Sequence, residues 1–224
     1  MSHTGKLLSL IQDLRLQPGD KFPSERELAE MFAMSRTALR EALIRLETLR
    51  IIELRPKSGI YLRADPRERS VDALLLFEST GTAINEAEVR QAAEVRRIVE
   101  LQGIRLACER RTDDDLKTLW DVLSRCERTL LDGGTIEQLD AEFHLAVLSC
   151  THNQMLVQVA NVYFMTSKQW RHVFFLDRAQ NEKSHHQHME LFKAIKDRNV
   201  DLADKIMSHH LRNARASFDH FFEE

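Results

Sequence analysis

Apolar residues recur at helical spacing along almost the whole chain. In "PSERELAEMF", Leu28, Met31 and Phe32 share one face, and Ser24 with Glu27 three residues on has capping-box spacing, so a helix is predicted to start there. In "MSRTALREALIRLETL", Ser35 is the next N-cap candidate, and Leu39, Ala42, Leu43, Leu46 and Leu49 form a single stripe. Only Ala33 and Met34 separate the two predicted helices, which is the tight connection of a helix-turn-helix. The period then changes: "IIELRPKSGIYL" alternates, predicting a short β-hairpin with Pro56, Lys57, Ser58 and Gly59 as its turn. That hairpin would be a wing.

"RADPRERS", residues 63–70, is charged, holds Pro66 and has no apolar period. The predicted organisation is therefore a winged helix-turn-helix over 1–64, a linker over 65–70 and a helical domain over 71–224. Helices are expected at about 71–79, 86–110, 113–132, 135–151, 153–176, 180–198 and 200–222, punctuated by "DGG" at 132–134 and by the cap candidates Asn85, Thr112 and Asn153. The fold class is mostly α: a winged helix-turn-helix followed by an all-helical antiparallel bundle of six or seven helices.

Composition agrees, since 7 Gly and 4 Pro in 224 residues favour long helices over many short strands. No stretch reaches 18 consecutive apolar residues, and "MSHTGKLLSL" lacks a signal-peptide layout, so a cytoplasmic protein with no membrane partner is expected. Cys108, Cys126 and Cys150 are far apart and unpaired by any C-x-x-C spacing, which argues for reduced core residues. The net charge of -3 is unevenly distributed: residues 35–63 hold 7 basic against 3 acidic side chains. A polyanion partner is compatible with that bias, which does not establish one.

Two sets of residues carry candidate chemistry. Arg36, Thr37 and Arg40 point outward near the start of the second helix, where side chains of this motif enter the major groove and arginine can bond guanine O6 and N7 together. Arg55 stands beside the wing turn. A purely structural helix pair with solvated arginines is the alternative, and basic residues at both helix start and wing weigh against it.

The second set is spread over three helices. In "TIEQLDAEFHLAVL", Ile136, Asp140, Phe143, His144 and Val147 share a face, so a carboxylate and an imidazole project inward among apolar neighbours. A buried Asp is costly unless paired or bound to a cation. In "SHHQHMELFKAI", His188 aligns with Leu191, Phe192 and Ile195, His186 aligns with Glu190 and Lys193, and the phase of His185 is ambiguous. In the last helix His210 aligns with Ala203, Met207, Ala214, Phe218 and Phe221, whereas His209 aligns with Lys205 and Asn213. One inward histidine is more often a core residue than a ligand; two on separate helices together with Asp140 and His144 bring core and metal site to even terms. Such a donor set suits Zn, Ni, Mn, Co or Fe.

Residues 6–63, through "PGDKFPSERELA", "SRTALREAL" and "SGIYL", closely resemble the winged helix-turn-helix of the GntR family of bacterial transcription regulators. The resemblance implies Arg26, Arg36 and Arg40 as DNA-contacting arginines, supported by Thr37 and by the wing residues Lys57, Ser58 and Gly59. "EVRRIVELQGIRLACERRT", "DAEFHLAVLSCTHN", "HHQHMELFKAI" and "DLADKIMSHHL" resemble the FCD effector domain of the FadR-type branch. In its metal-binding members an Asp and a His four apart and two further His are the ligands, matching Asp140, His144, His188 and His210. The same pattern places Arg96 near the pocket as an effector-binding residue; the plainer reading pairs it with Glu100 on the helix surface.

Together these imply a metabolite-responsive repressor: a homodimer reading a pseudo-palindromic double-stranded operator, with a divalent metal ion and a small carboxylate effector. The alternatives are a metal-sensing regulator and a helical-bundle metalloenzyme. No general base or nucleophile constellation stands out, so enzymatic activity is not expected.

Overall fold

Two hydrophobic cores organise the chain. The computed structural model describes residues 2–79 and 86–221 and divides into two compact units, Met1–Ile84 and Asn85–Glu224.

In the first unit α1 (His3–Asp13) starts at the Ser2 cap and packs against α3 (Arg36–Thr48). Helix α2 (Glu25–Phe32) opens on the expected capping box: Ser24 Oγ accepts from Glu27 N–H at 3.3 Å, and Glu27 Oε2 accepts from Ser24 N–H at 2.7 Å. Ala33, at φ 49°, takes the left-handed conformation that turns the chain towards α3, whose N-cap Ser35 accepts from Ala38 N–H at 3.2 Å. Strands β1 (Ile52–Arg55) and β2 (Gly59–Leu62) pair antiparallel with Arg55 opposite Gly59. The wing turn is thus Pro56–Lys57–Ser58, and Gly59, expected in the turn, begins a strand. Leu7, Leu8, Leu28, Leu39, Leu43, Leu46, Ile51 and Ile52 fill the core.

The boundary departs from expectation. Residues 65–70 are not a free linker: Asp65 caps a short 3-10 turn (Pro66–Glu68), Arg63 pairs with Glu68, and Ser70 N–H donates to Leu49 O. Helix α4 (Val71–Ser79), expected to open the helical domain, buries Ala73 and Leu76 in the first core. Its apolar run was legible, but not which core it would join.

The second unit is all-helical: α5 (Glu86–Arg110), α6 (Asp113–Leu131), α7 (Glu137–Ser149), α8 (Gln154–Thr166), α9 (Lys168–Leu176), α10 (Arg178–Lys196) and α11 (Val200–Phe221). Thr112 and Asn153 cap α6 and α8 as expected; Asn85 lies outside the described residues. The single helix expected over 153–176 is two, broken at the buried Ser167. Helix α5 packs on α7, α8, α10 and α11, and α7 also faces α6 and α10. Gly103 permits the close approach of α5 to α7, because a Cβ there would collide with Leu148 Cδ2. Cys108, Cys126 and Cys150 are buried and free; burial raises their thiols to about 11, 12 and 12. No described helix is long and apolar enough to cross a membrane.

Candidate DNA interface and metal centre

Arg26 on α2 and Arg36, Thr37 and Arg40 on α3 are exposed, and a surface groove between the two helices is lined by Arg26, Arg36 and Arg40. Arg40 Nε donates to Glu25 Oε2 at 3.2 Å, in an ion pair that is exposed. Lys57 and Ser58 are exposed at the wing tip and Gly59 is half-buried. The Arg55 guanidinium lies 4.2 Å from the Tyr61 ring centroid, and Ser58 Oγ is 2.8 Å from Tyr61 Oη.

The residues expected to coordinate metal come from α7, α10 and α11, and all four are buried: Asp140 3%, His144 1%, His188 0% and His210 4% exposed. Their candidate ligand atoms lie within 4.8 Å of one another. His144 Nε2 is 3.1 Å from His210 Nε2, His188 Nε2 is 3.3 Å from His210 Nε2, and Asp140 Oδ1 is 3.5 Å from His188 Nε2 and 3.8 Å from His144 Nε2. Donors about 2.1 Å from one ion stand roughly 3.0 to 3.4 Å apart for right-angle to tetrahedral geometry, so the two histidine–histidine spacings fit a shared cation, and the Asp140 oxygen stands somewhat wide of it.

The tautomers give a second test. His210 Nδ1 donates to Gln187 Oε1 at 2.8 Å, and His144 Nδ1 faces Glu100 Oε2 in close contact, which leaves both Nε2 atoms as bare lone pairs. Arg96 Nη2, 3.1 Å from His144 Nε2, donates into one of them. Two lone pairs facing each other at 3.1 Å repel without a proton or a cation between them. Burial, then the neighbouring imidazoles, push His188 well below the usual histidine range and His210 down to about 3. His188 and His210 are thus held in the neutral form that metal ligation requires, and the residues fit a metal ion.

Around this cluster the structure adds groups that sequence reasoning missed. Arg96 does bond Glu100, at 2.6 Å, but the pair is buried and not on the surface, and Arg96 Nη1 also reaches Tyr163 Oη at 3.4 Å. Burial raises the Glu100 carboxyl, but Arg96 and His144 outweigh it and hold it at about 2. Arg171 of α9 is 4% exposed and donates to Asp140 Oδ2 at 3.3 Å and to Glu137 O. An arginine inside the apolar run "WRHVFF" was the available signal for it. His186 is exposed beside Glu190, as its phase implied, and His185, whose phase was ambiguous, is half-buried.

Residues 4–62 match the bacterial regulatory proteins of the gntR family, and residues 91–213 match the FCD domain. The chain is 30% identical over 220 residues to the HTH-type transcriptional regulator LutR of Bacillus subtilis, covering 96% of this chain and 99% of that one. It is 28% identical over 189 residues to the galactonate operon transcriptional repressor of Escherichia coli, covering 84% and 82%. Among solved structures, Streptococcus agalactiae GntR superposes with a TM-score of 0.54 at 26% identity, covering 96% of this chain and 98% of the other. A structure of Lar from Listeria monocytogenes superposes with a TM-score of 0.69 at 18% identity, covering 96% and 94%, which shows the shared fold.

Proposed function

The chain belongs to the gntR family of bacterial regulatory proteins with an FCD domain, and from that premise we propose that it is a metabolite-responsive repressor whose helical unit holds one divalent metal ion and a small organic acid. The observation that carries the effector half is the convergence of Asp140, His144, His188 and His210, with the Nδ1 atoms of His144 and His210 facing Glu100 and Gln187, away from the centre. In this reading those four residues hold the ion, and Arg96 binds the acid. The ion, of a type suited to imidazole and carboxylate such as Zn, Ni, Mn, Co or Fe, supplies a Lewis-acid site for an oxygen of the acid. One relative is named for galactonate, itself an organic acid, which supports that ligand class.

On the DNA side, Arg36 and Arg40 read bases from α3, Thr37 supports them, and Arg26, Lys57, Ser58 and Gly59 position the unit on the operator. The protein acts in the cytoplasm as a homodimer on a pseudo-palindromic site, without enzymatic turnover. Effector binding must favour one arrangement of the paired units over the other, or it would shift nothing.

Elemental analysis and operator gel shifts test this together. About one metal per chain after loading at neutral pH, and release of DNA by a small carboxylate, are expected. A chain that takes up no metal would overturn the effector half. One feature favours a second reading, in which the metal itself is the signal: Arg96 bonds the His144 nitrogen that an ion would need. Release of the operator by metal without any acid would select that reading.

A further inference from the structure

Arg171 is a second buried guanidinium at the candidate metal centre, and its bonding is incomplete. Its Nη2 serves Asp140 Oδ2 and Glu137 O, while Nε, shielded from solvent, finds no hydrogen-bond partner among the described residues. An unmade hydrogen bond on a buried cation is costly. Its guanidinium also lies 5.3 Å from the Phe164 ring centroid and 5.9 Å from that of Phe175, aromatic faces that fix a planar cation. Arg171, Arg96, Asp140, Gln187 and His210 line the same pocket.

Charge sharpens the point. The buried Arg, Asp and Glu side chains at the centre are Arg96, Arg171, Asp140 and Glu100, two cations against two anions, and a histidine that ligates an ion is neutral. These four charges balance before an ion is counted. A divalent ion leaves two uncompensated positive charges in a region shielded from water, and a buried charge without a counter-charge is strongly disfavoured. A monocarboxylate would remove one of them; a dianion would remove both. The cavity has only about 10 Å³ free, room for roughly one water molecule, so the acid must be short and its entry must displace lining side chains.

We propose that the pocket selects a short dicarboxylate, one carboxylate taken by Arg96 and the metal, the other by Arg171. The inference rests on the reading of the pocket as a metal-dependent acid site. Charge-assisted guanidinium–carboxylate bonds supply the specificity, since each needs a carboxylate at its own end of the ligand.

The test is isothermal calorimetry on the metal-loaded full chain with malonate, succinate and malate against propionate, butyrate and 2-hydroxybutyrate. Dicarboxylates are expected to bind at least about tenfold tighter than monocarboxylates of equal length. In Arg171→Gln and Arg171→Lys, each first shown by circular dichroism to be folded, that ratio is expected to fall towards one. Equal affinities in the wild-type protein would overturn the dicarboxylate inference while leaving the small-acid reading standing. A ratio that survives both substitutions would show that Arg171 serves Asp140 alone, and overturn its role. Failure of every acid to bind a folded, loaded chain would overturn the small-acid reading and this inference with it.

Discussion

Which ring nitrogen bears the proton decides what the histidines can do. Asp140, His144, His188 and His210 were legible because burial follows helical phase, and phase separated His188 from His186 two positions away. Glu100 and Gln187 were not legible in their roles, since the contacts that fix the His144 and His210 tautomers are made between helices and leave no period in the sequence. His188→Ala is expected to abolish stoichiometric metal binding, and His186→Ala to leave it intact, as read by elemental analysis. Glu100→Gln, which keeps the shape but weakens the acceptor behind His144, should lower metal affinity about 10- to 100-fold in a competition titration. On the other unit, Arg40→Ala should cost about 1 to 3 kcal/mol of operator affinity with self-association unchanged in sedimentation. An unaltered gel shift would remove Arg40 from the base-reading set.

Among the elements, caps were the most readable feature. Thr112 and Asp115 satisfy each other's backbone N–H groups at 2.7 and 3.2 Å, and Thr112→Ala is expected to destabilise the folded protein by about 1 kcal/mol in urea titration. What hid the break at Ser167 was the continuity of apolar residues on either side, in "NVYFMTSKQWRHVFF", which reads as one helix because no proline or glycine interrupts it. That break matters for the site, because it starts α9 afresh and brings Arg171 onto Asp140. The wing shows the same limit on a smaller scale. Gly59 reads as a turn residue by type, yet pairs with Arg55, and the left-handed position inside the turn is taken by Lys57 at φ 63°.

For the whole molecule, the two cores impose different sensitivities. Cys108, Cys126 and Cys150 all lie in the second. Their thiols ionise at about 11 to 12 when folded against an ordinary value of 9.0, so their contribution to stability is complete below pH 9 and declines as pH rises towards 11 to 12. Thiol reagents at pH 8 should label the native chain slowly and the urea-unfolded chain at once; rapid labelling of all three in the native state would contradict their burial. The fold class and order of helices were readable from periodicity, but the partition between the cores was not, because "VDALLLFES" is equally apolar whichever core receives it. A fragment ending at Ser79 is expected to unfold cooperatively, and one ending at residue 64 to lose that transition, by thermal circular dichroism.

Since Ala73 and Leu76 of α4 are sealed into the first core, the heritable DNA-reading module is longer than the winged fold alone. Recombination that exchanges heads between relatives would preserve both cores only when the crossover falls beyond Ser79. A chimera joined at the wing would graft a foreign helix onto Leu7 and Leu8's core, and regulators shuffled by that route should be purged by misfolding before their specificity is ever tried.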